Sequence, residues 1–542
     1  MRQILIGRAL GARCSRANAG KAFRAAAASA IVAARDTTLM TLKFEIYNNG
    51  ERARHFSPTN AIAVGPESVP WSGSVIFRDE LLQVSRVDES ATAVSLLWDM
   101  GPHGAYQMET TRLPPSPKPY VLNVELARFR LMRIVQKQED WNLFDFPKTE
   151  KYQQQFKEAQ GLFAEALAHL DRPETASKLA DRSMVIALEL SEELAKFHAE
   201  LLLTRRRTNG ALPRHLFGCR IDWTIQNQKY RDLVCELCDF VVLPMHWKLL
   251  QPTEDTWATE QLDDWIEHLA KKRVLVIAGP LIDLSDNHVP DWLYIWEHDF
   301  ETLRDLAYEF VRKIVSRYRR AVTAWNVVAG LHATTSFTLS FEQMIEMTRV
   351  LVQQTRTVAT TARTIITIKH PFGEYHAHTH PTVPPMLYAE MVAQAGIHFD
   401  AFALEWEMGV PLRSQFTRDL FQLSTMLDRF STLGKPVFLT SLGVPDRANP
   451  DPADASGGAL DPASAGRWHT PWTPDNQAKW LDEFTRIALS KPYIENICWA
   501  NFADLAPTMP GGGLLDDLLQ PKPAMRAVQA LRDSLGKTVR KP

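Results

Sequence analysis

From residue 214 onward the sequence alternates between short apolar runs and longer amphipathic runs. The apolar runs read LFGCRID, DFVVLPMHW, RVLVIAGP, AVTAWNVV, RTIITIKH, DAFALEWE, PVFLTSLGV and YIENICWANF. Between them, stretches such as TEQLDDWIEHLAKK repeat apolar residues every three or four positions, which is typical of helices packed on a sheet. Near-continuous apolar strands separated by helices predict a parallel sheet. Eight such strands predict an α/β fold closed into a (β/α)8 TIM barrel.

The chain before the barrel divides into three segments with different patterns. Residues 1–40 are rich in Arg and Ala, with no acidic residue before Asp36, which indicates a disordered or transit-like extension, or a stretch upstream of a start at Met40. Residues 41–125 contain short strand-like segments broken by Gly, Pro and Asn, which predict a small β-sandwich-like module that buttresses its neighbour. Residues 126–207 have helical spacing and predict a connector, so the barrel occupies residues 208–542.

Composition excludes several classes of protein. The 61 Lys and Arg residues nearly balance the 63 Asp and Glu residues, so no overall positive field attracts nucleic acid. The apolar run AAAASAIVAA near the N-terminus is too short to span a bilayer, so we expect no membrane partner and a cytoplasmic location. The five cysteines include the pair Cys235 and Cys238, which we interpret as ordinary thiols. No cofactor is predicted, and the oligomeric state stays open.

The predicted barrel also indicates where chemistry would occur. Active sites of such barrels lie at the carboxyl ends of the strands. In this chain those ends are rich in Trp, His and carboxylate residues. Flat indole faces pack well against sugar rings, so this composition points to an oligosaccharide or polysaccharide partner.

Residues 214–536 carry a series of motifs in the order of a known family. These are FVVLPMHWKLLQPTEDTW with Met245-His246-Trp247, VPDWL at Val289–Leu293, AWNVV at Ala324–Val328, GKPVFLTSLGV, and LLDDLLQPKPAMRAV at Leu514–Val528. Together they resemble the catalytic barrel of glycoside hydrolase family 10, the endo-β-1,4-xylanases. The resemblance implies a TIM barrel that hydrolyses a β-1,4-linked polysaccharide with a pair of glutamates.

The sequence departs from that family at the catalytic positions. The resemblance places the acid/base glutamate at Gly330 and the nucleophilic glutamate at Ser441. The family's sugar-binding Lys corresponds to His246, and its third-strand His to Pro280. A glycine cannot protonate a leaving oxygen, so the family mechanism does not transfer by position.

Two interpretations follow, and both place a saccharide at the barrel. In the first, the catalytic carboxylates have moved to Glu405, Glu407 and Glu374; the first two are two residues apart on one strand and therefore point to the same side. In the second, the barrel binds sugar without hydrolysing it, and these carboxylates only pair with neighbouring cationic side chains. The predicted substrate-binding residues are His246, Trp247, Trp292, Trp325, His370, Trp406 and Trp499.

A third interpretation is a metal-dependent barrel hydrolase. The HAHTH run alternates His376, His378 and His380, with His370 just before it, and Asp504 and His246 as further possible ligands. The run lies in a Pro-bounded segment, where solvated histidines are expected instead. No metal is therefore predicted.

Overall fold

The computed structural model describes residues 41–85, 90–143, 149–379 and 381–536. The extension predicted over residues 1–40 lies outside these ranges. Within them, no helix is long and apolar enough to cross a membrane.

Ten short strands form the N-terminal module. They are β1 (Thr41–Glu45), β2 (Tyr47–Asn48), β3 (Glu51–Arg52), β4 (Ile62–Val64), β5 (Pro70–Trp71), β6 (Val75–Arg78), β7 (Leu81–Ser85), β8 (Ala93–Asp99), β9 (Gly104–Glu109) and β10 (Tyr120–Val121). One sheet has the order β10-β1-β7-β6, and β2 pairs with β3. A second sheet has the order β9-β8-β4-β5 and is extended by β19 (Arg467–Trp468), which comes from a loop of the barrel. The barrel therefore contributes a strand to the module.

Three helices connect the module to the barrel: α1 (Leu122–Asp140), α2 (Glu150–Ala168) and α3 (Pro173–Thr208). The buried face of α3 includes Leu188, Ser191 and Ala195 at the three- and four-residue spacing of one helix side. Near its end, a guanidinium nitrogen of Arg206 donates to the carbonyls of Leu489 and Lys491, each at 2.7 Å. These bonds fix α3 to the outer layer of the barrel.

Eight parallel strands close into the predicted barrel. They are β11 (Phe217–Arg220), β12 (Phe240–Leu243), β13 (Leu275–Ala278), β15 (Ala324–Ala329), β16 (Arg363–Lys369), β17 (Ala401–Glu407), β18 (Val437–Gly443) and β20 (Ile494–Trp499). Each strand pairs with the next one along the chain, and β20 pairs with β11 to close the ring. The short strands β14 (Ile282–Asp283), β21 (Asn501–Ala503) and β22 (Gly513–Leu515) lie in loops. The TIM barrel predicted from the alternating pattern is confirmed.

Helices surround the strands. They are α4 (Gln228–Leu237), α5 (Trp247–Leu250), α6 (Glu260–Lys272), α7 (Phe300–Tyr318), α8 (Phe341–Val358), α9 (Pro385–Gln394), α10 (Leu420–Ser431), α11 (Pro474–Ser490) and α12 (Pro523–Gly536). Alternate strand residues fill the barrel interior: Phe240, Val242, Ile277, Ala324, Ile365, Ala401, Ala403, Phe438 and Cys498. The residues between them pack outward against the helices.

Candidate active site at the barrel mouth

Two carboxylates enter the carboxyl end of the barrel, which we call the mouth, from one strand. Ala401 and Ala403 of β17 belong to the interior core. Because side chains alternate along a strand, Glu405 and Glu407 continue the same inward face. Their side chains retain 18% and 15% of their exposure, so both reach solvent at the mouth. The prediction that they share one side is therefore consistent with the strand geometry.

Glu405 lies in a crowded, charged environment. Lys369 Nζ, at the end of β16, lies 3.8 Å from Glu405 Oε2 and also forms an ion pair with Asp283. Burial raises the pKa of Glu405, while Lys369 and Arg220 oppose that rise and Asp283 and Glu407 add to it. Although burial disfavours the ammonium, Asp283 and Glu405 hold the pKa of Lys369 above its usual value. Glu405 is thus the carboxyl whose surroundings favour keeping a proton.

Glu407 has hydrogen-bond donors on both oxygens. Ser441 Oγ donates to Oε1 at 2.6 Å, and Thr508 Oγ1 donates to Oε2 at 3.3 Å. The Arg220 guanidinium lies 3.8 Å from Oε1. Thr508 is itself oriented by the Asn501 amide, which donates to its hydroxyl at 2.9 Å. Such donors and a nearby cation are the partners that an ionised carboxylate requires.

Neutral histidines border the pair. The rings of His246 and His288 stack with centroids 4.5 Å apart, and His288 Nδ1 lies 2.8 Å from Ser285 Oγ. Burial lowers the pKa of His246 to about 3 and the pKa values of His288 and His370 to about 4. At neutral pH these rings therefore act as hydrogen-bonding groups rather than as cations.

A groove with a volume of about 420 Å³ opens at the mouth, and neither Glu405 nor Glu407 lines it. We call it the mouth groove; its polar lining includes Arg220, Asp222, His246, His288, Asn501 and Thr508. Two of these residues, Arg220 and Thr508, also contact Glu407. A molecule in the groove would therefore lie against two direct neighbours of Glu407.

The two positions that correspond to the family's catalytic glutamates hold no carboxylate. Gly330 has a φ of 64°, and a Cβ built there would lie 2.8 Å from Lys369 Cδ. Lys369 therefore occupies the space next to the acid/base position. At the other position, the hydroxyl of Ser441 is used to bind Glu407.

The structure corrects the expectation that indole rings are exposed at the mouth. Trp247 and Trp406 are only 2% and 3% exposed, and Trp325 and Trp499 are fully buried. Trp406 lies between Glu405 and Glu407 on β17, so its ring faces outward and packs against Phe484 of α11. The same alternation explains why strand residues in this phase belong to the core between strands and helices.

Two further predicted residues lie away from the pair. Trp292 is half-buried, and its Nε1 donates to the Gln251 carbonyl at 3.0 Å outside the mouth groove. Glu374 forms an ion pair with Arg418 and accepts a hydrogen bond from Asn60 of the N-terminal module at 2.9 Å. The grouping of Glu374 with the mouth carboxylates is therefore wrong, because its partners hold it against the module.

The histidine run does not form a metal cluster in the part of the chain that the structure describes, where no group of three or more potential ligands is found. His376 Nδ1 lies 3.0 Å from Thr382 Oγ1. His380 lies outside the described residues.

Three residues of the mouth were not predicted from the sequence: Arg220, His288 and Thr508. The alternation of side chains along β11 could have indicated Arg220, because it follows Gly218 by two positions and so lies on the same face of the strand. Thr508 has no such signal, because it lies in a loop after β21 and reaches Glu407 only through the fold.

Comparison with solved structures identifies xylanases of glycoside hydrolase family 10. Xylanase 10B from Thermotoga maritima is 16% identical with a TM-score of 0.45 and covers 60% of this chain and 96% of its own. Xylanase 10B from Thermotoga petrophila RKU-1, in complex with xylobiose, is 16% identical with a TM-score of 0.45 and covers 62% and 97%. An endoxylanase from a sugarcane soil metagenome is 15% identical with a TM-score of 0.46 and covers 59% and 96%.

These similar solved structures belong to the same family that the strand motifs resemble. No family model matches the chain, and no curated protein matches it. The evidence for the closed barrel is the pairing of its eight strands. The evidence for chemistry at the mouth is the set of side chains described above.

Proposed function

We propose that the mouth hydrolyses O-glycosidic bonds in a β-1,4-linked polysaccharide, with Glu405 and Glu407 as the catalytic residues. The observation that carries the proposal is the unequal environment of two carboxyls on one strand face. Burial raises the pKa of Glu405, whereas Glu407 accepts hydrogen bonds from Ser441 and Thr508. Glycosidases divide acid and base roles between two carboxyls in this manner.

In the proposed reaction, protonated Glu405 donates its proton to the leaving glycosidic oxygen as the bond from that oxygen to the anomeric carbon breaks. Ionised Glu407 removes a proton from the attacking water, whose oxygen forms the new bond to the anomeric carbon. Lys369 offsets the negative charge left on Glu405, since its ammonium is 3.8 Å away. Arg220 does the same for Glu407 before proton transfer.

The mouth groove would hold the sugar mainly through polar contacts. His246, Asn501 and Arg220 present hydrogen-bonding groups to it, and His370 lies at the end of β16 beside the carboxylates. Hydroxyl groups are bound well by such neutral and cationic donors. Of the predicted indoles, only half-buried Trp292 retains a surface for a longer chain, since Trp247, Trp325, Trp406 and Trp499 serve the core.

The direct test is incubation of the purified full chain with xylan and with β-1,4-linked glucans, followed by measurement of new reducing ends and chromatography of the oligosaccharide products. Xylan is the first choice because of the family resemblance. Product that accumulates with time and is absent from the E405Q/E407Q double variant supports the proposal. Absence of product on every substrate contradicts it.

A second function, sugar binding without hydrolysis, is favoured by one specific observation. The space beside Gly330 is occupied by Lys369, so the side of the mouth that bears the family's acid is blocked. Isothermal titration with xylo-oligosaccharides separates the two functions. Saturable binding by a wild-type chain that releases no product supports the binding function.

A further inference from the structure

A second cavity, which shares no lining residue with the mouth groove, lies where β4, β8 and β9 of the module meet α1 and α10. We call this region the junction, and the cavity, of about 100 Å³, the junction cavity. Its wall is mostly apolar and includes Ile62, Met108, Leu126, Phe129, Phe421 and Met426. Leu126 and Phe129 lie on one face of α1, opposite Phe421 and Met426 of α10.

Two arginines of the junction cavity already have carboxylate partners. Arg130 forms two parallel hydrogen bonds with Asp419: Nη1 donates to Oδ1 at 3.0 Å, and Nη2 donates to Oδ2 at 2.5 Å. Arg418 pairs with Glu374 and lies 3.6 Å from the centroid of the Phe372 ring. These two pairs neutralise the inner end of the cavity.

Two other arginines, Arg133 of α1 and Arg429 of α10, have no such partner. In the part of the chain that the structure describes, neither forms an ion pair, and Arg133 donates only to Gln136, at 2.5 Å. Both line the junction cavity and also a larger outer groove of about 680 Å³ that adjoins it. Burial lowers the pKa of each guanidinium.

The four arginines that line the junction cavity outnumber its two glutamates, Glu109 and Glu374. Glu109 acts on both arginines, but burial raises its pKa, and Ser68 Oγ donates to it at 3.1 Å. Glu67 and Glu390 also act on Arg429. Asp140 and Asp428 of the outer groove pair with Lys137.

An unsatisfied hydroxyl supplies an independent observation. Thr425 lines both the junction cavity and the outer groove and is 9% exposed. Its Oγ1 is buried and has no hydrogen-bond partner among the described residues. A buried polar group without a partner costs roughly 1–3 kcal/mol, and a ligand oxygen at this position would remove that cost.

We propose that the junction cavity binds a small amphipathic carboxylate, whose alkyl or aryl group fills the apolar wall and whose carboxylate is held by Arg133, Arg429 and the Thr425 hydroxyl. An apolar cavity of about 150 Å³ holds benzene, so this smaller cavity takes up a short alkyl chain or the edge of one ring, and the rest of the ligand extends into the adjoining outer groove. A planar guanidinium binds a carboxylate through two parallel hydrogen bonds, so Arg133 or Arg429 would fix the orientation of the ligand carboxylate. The site does not depend on the reaction proposed at the mouth.

Isothermal titration of the full chain with hexanoate and with phenylacetate tests this site. Hexanamide has the same chain without the charge, and inorganic phosphate has charge without an apolar group. We expect saturable binding of the carboxylates, at least tenfold weaker binding of hexanamide, and weaker binding of phosphate than of hexanoate.

Three variants locate the binding. Arg429→Gln should weaken hexanoate binding at least tenfold, and Thr425→Leu should abolish it by filling the cavity. Because Thr425→Leu also removes the unsatisfied hydroxyl, it should fold with an unchanged circular dichroism spectrum. Arg312→Gln, an exposed arginine of α7 paired with Glu309, is the matched control and should bind as the wild type does.

Three results would overturn the proposal. They are failure of both carboxylates to bind the wild-type chain, unchanged binding by folded Thr425→Leu or Arg429→Gln, and phosphate binding as tight as hexanoate binding. The last result would identify a simple anion site on the surface.

Discussion

The junction and the mouth both hold carboxylates beside cations, yet the carboxylates have different partners in the two regions. At the junction, Glu374 has an arginine partner, the Asn60 amide and the backbone N–H of Ser414. At the mouth, the one ion-pair partner of Glu405 among the described residues is Lys369, at 3.8 Å, which Glu405 shares with Asp283. The first carboxylate is fully bonded within the protein, and the second retains capacity for a further proton or ligand.

This difference separates structural from chemical carboxylates better than sequence position does. A fully bonded buried ion pair fixes two parts of the chain, since losing one partner leaves the other charge buried. A partly exposed carboxyl with a raised pKa and an adjacent groove can exchange protons with a bound molecule. The comparison therefore predicts opposite results for substitutions at the two regions.

The largest expected effect is on the reaction at the mouth. Glu405→Gln and Glu407→Gln should each lower kcat on an active polysaccharide about 10²- to 10⁴-fold, the range for loss of a general acid or base. Reducing-end assays on protein of verified fold measure this. The matched control is Glu301→Gln, on the exposed start of α7, which should keep full activity. Wild-type rates in both mouth variants would remove these glutamates from the mechanism.

The next effect concerns stability at the junction. Glu374→Ala should lower the free energy of unfolding by about 3–5 kcal/mol, because it leaves Arg418 buried without its partner. Glu405→Gln should change it by no more than about 1 kcal/mol, since burial already disfavours the charge that is removed. Urea denaturation of the two variants provides the comparison. Equal losses would erase the distinction between the two regions.

A third prediction concerns pH. Fully buried His332 and mouth residue His246 have pKa values lowered by burial to about 3, compared with about 6.5 in the unfolded chain. Between those values the unfolded chain binds protons that the folded chain does not, so stability is lost as pH falls from 6.5. His332 alone should contribute about 1.5 kcal/mol between pH 6.5 and 5.

The raised pKa of Glu405 acts in the opposite direction, since a folded carboxyl that binds its proton more tightly gains stability as pH falls. Denaturation of the wild type and of His332→Gln at both pH values measures the balance. A smaller pH slope in the variant is expected. Identical slopes would show that His332 is not a source of the loss.

The smallest effect tests whether Lys369 really fills the acid/base position. Gly330→Ala places a Cβ 2.8 Å from Lys369 Cδ at a φ of 64° and should cost about 1–2 kcal/mol. Gly396→Ala has a similar φ of 70° with no atom within 4 Å, so it measures the backbone cost alone. The difference between the two losses, from thermal denaturation, reports the crowding. Equal losses of stability in the two variants would mean that the Lys369 side chain moves aside without a measurable cost.

Much of the barrel was predictable because a buried parallel strand has a simple pattern. The eight apolar runs correspond to the eight strands, and the two-residue spacing of Glu405 and Glu407 predicts a common face. The same spacing places Trp406 on the opposite face, which explains its burial. The sequence alone predicts which face of a strand each side chain lies on, but not how deeply that side chain is buried.

The rest depended on contacts between distant parts of the chain. Glu374 bonds to Asn60, which is 314 residues earlier, and no periodic pattern predicts such a pair. Thr508 reaches Glu407 from a loop 101 residues later. β19 joins the module although it belongs to a barrel loop. These contacts are set by how loops pack, which local propensity does not determine.

The most direct test of the central claim compares E405Q and E407Q on an aryl β-xylobioside with a 2,4-dinitrophenolate leaving group. That leaving group departs without protonation, so loss of the acid should matter little and loss of the base should matter fully. We predict near wild-type rates for E405Q and a loss of at least about a hundredfold for E407Q. Equal rates in the two variants, or no cleavage by the wild type, would contradict the proposed roles of the mouth.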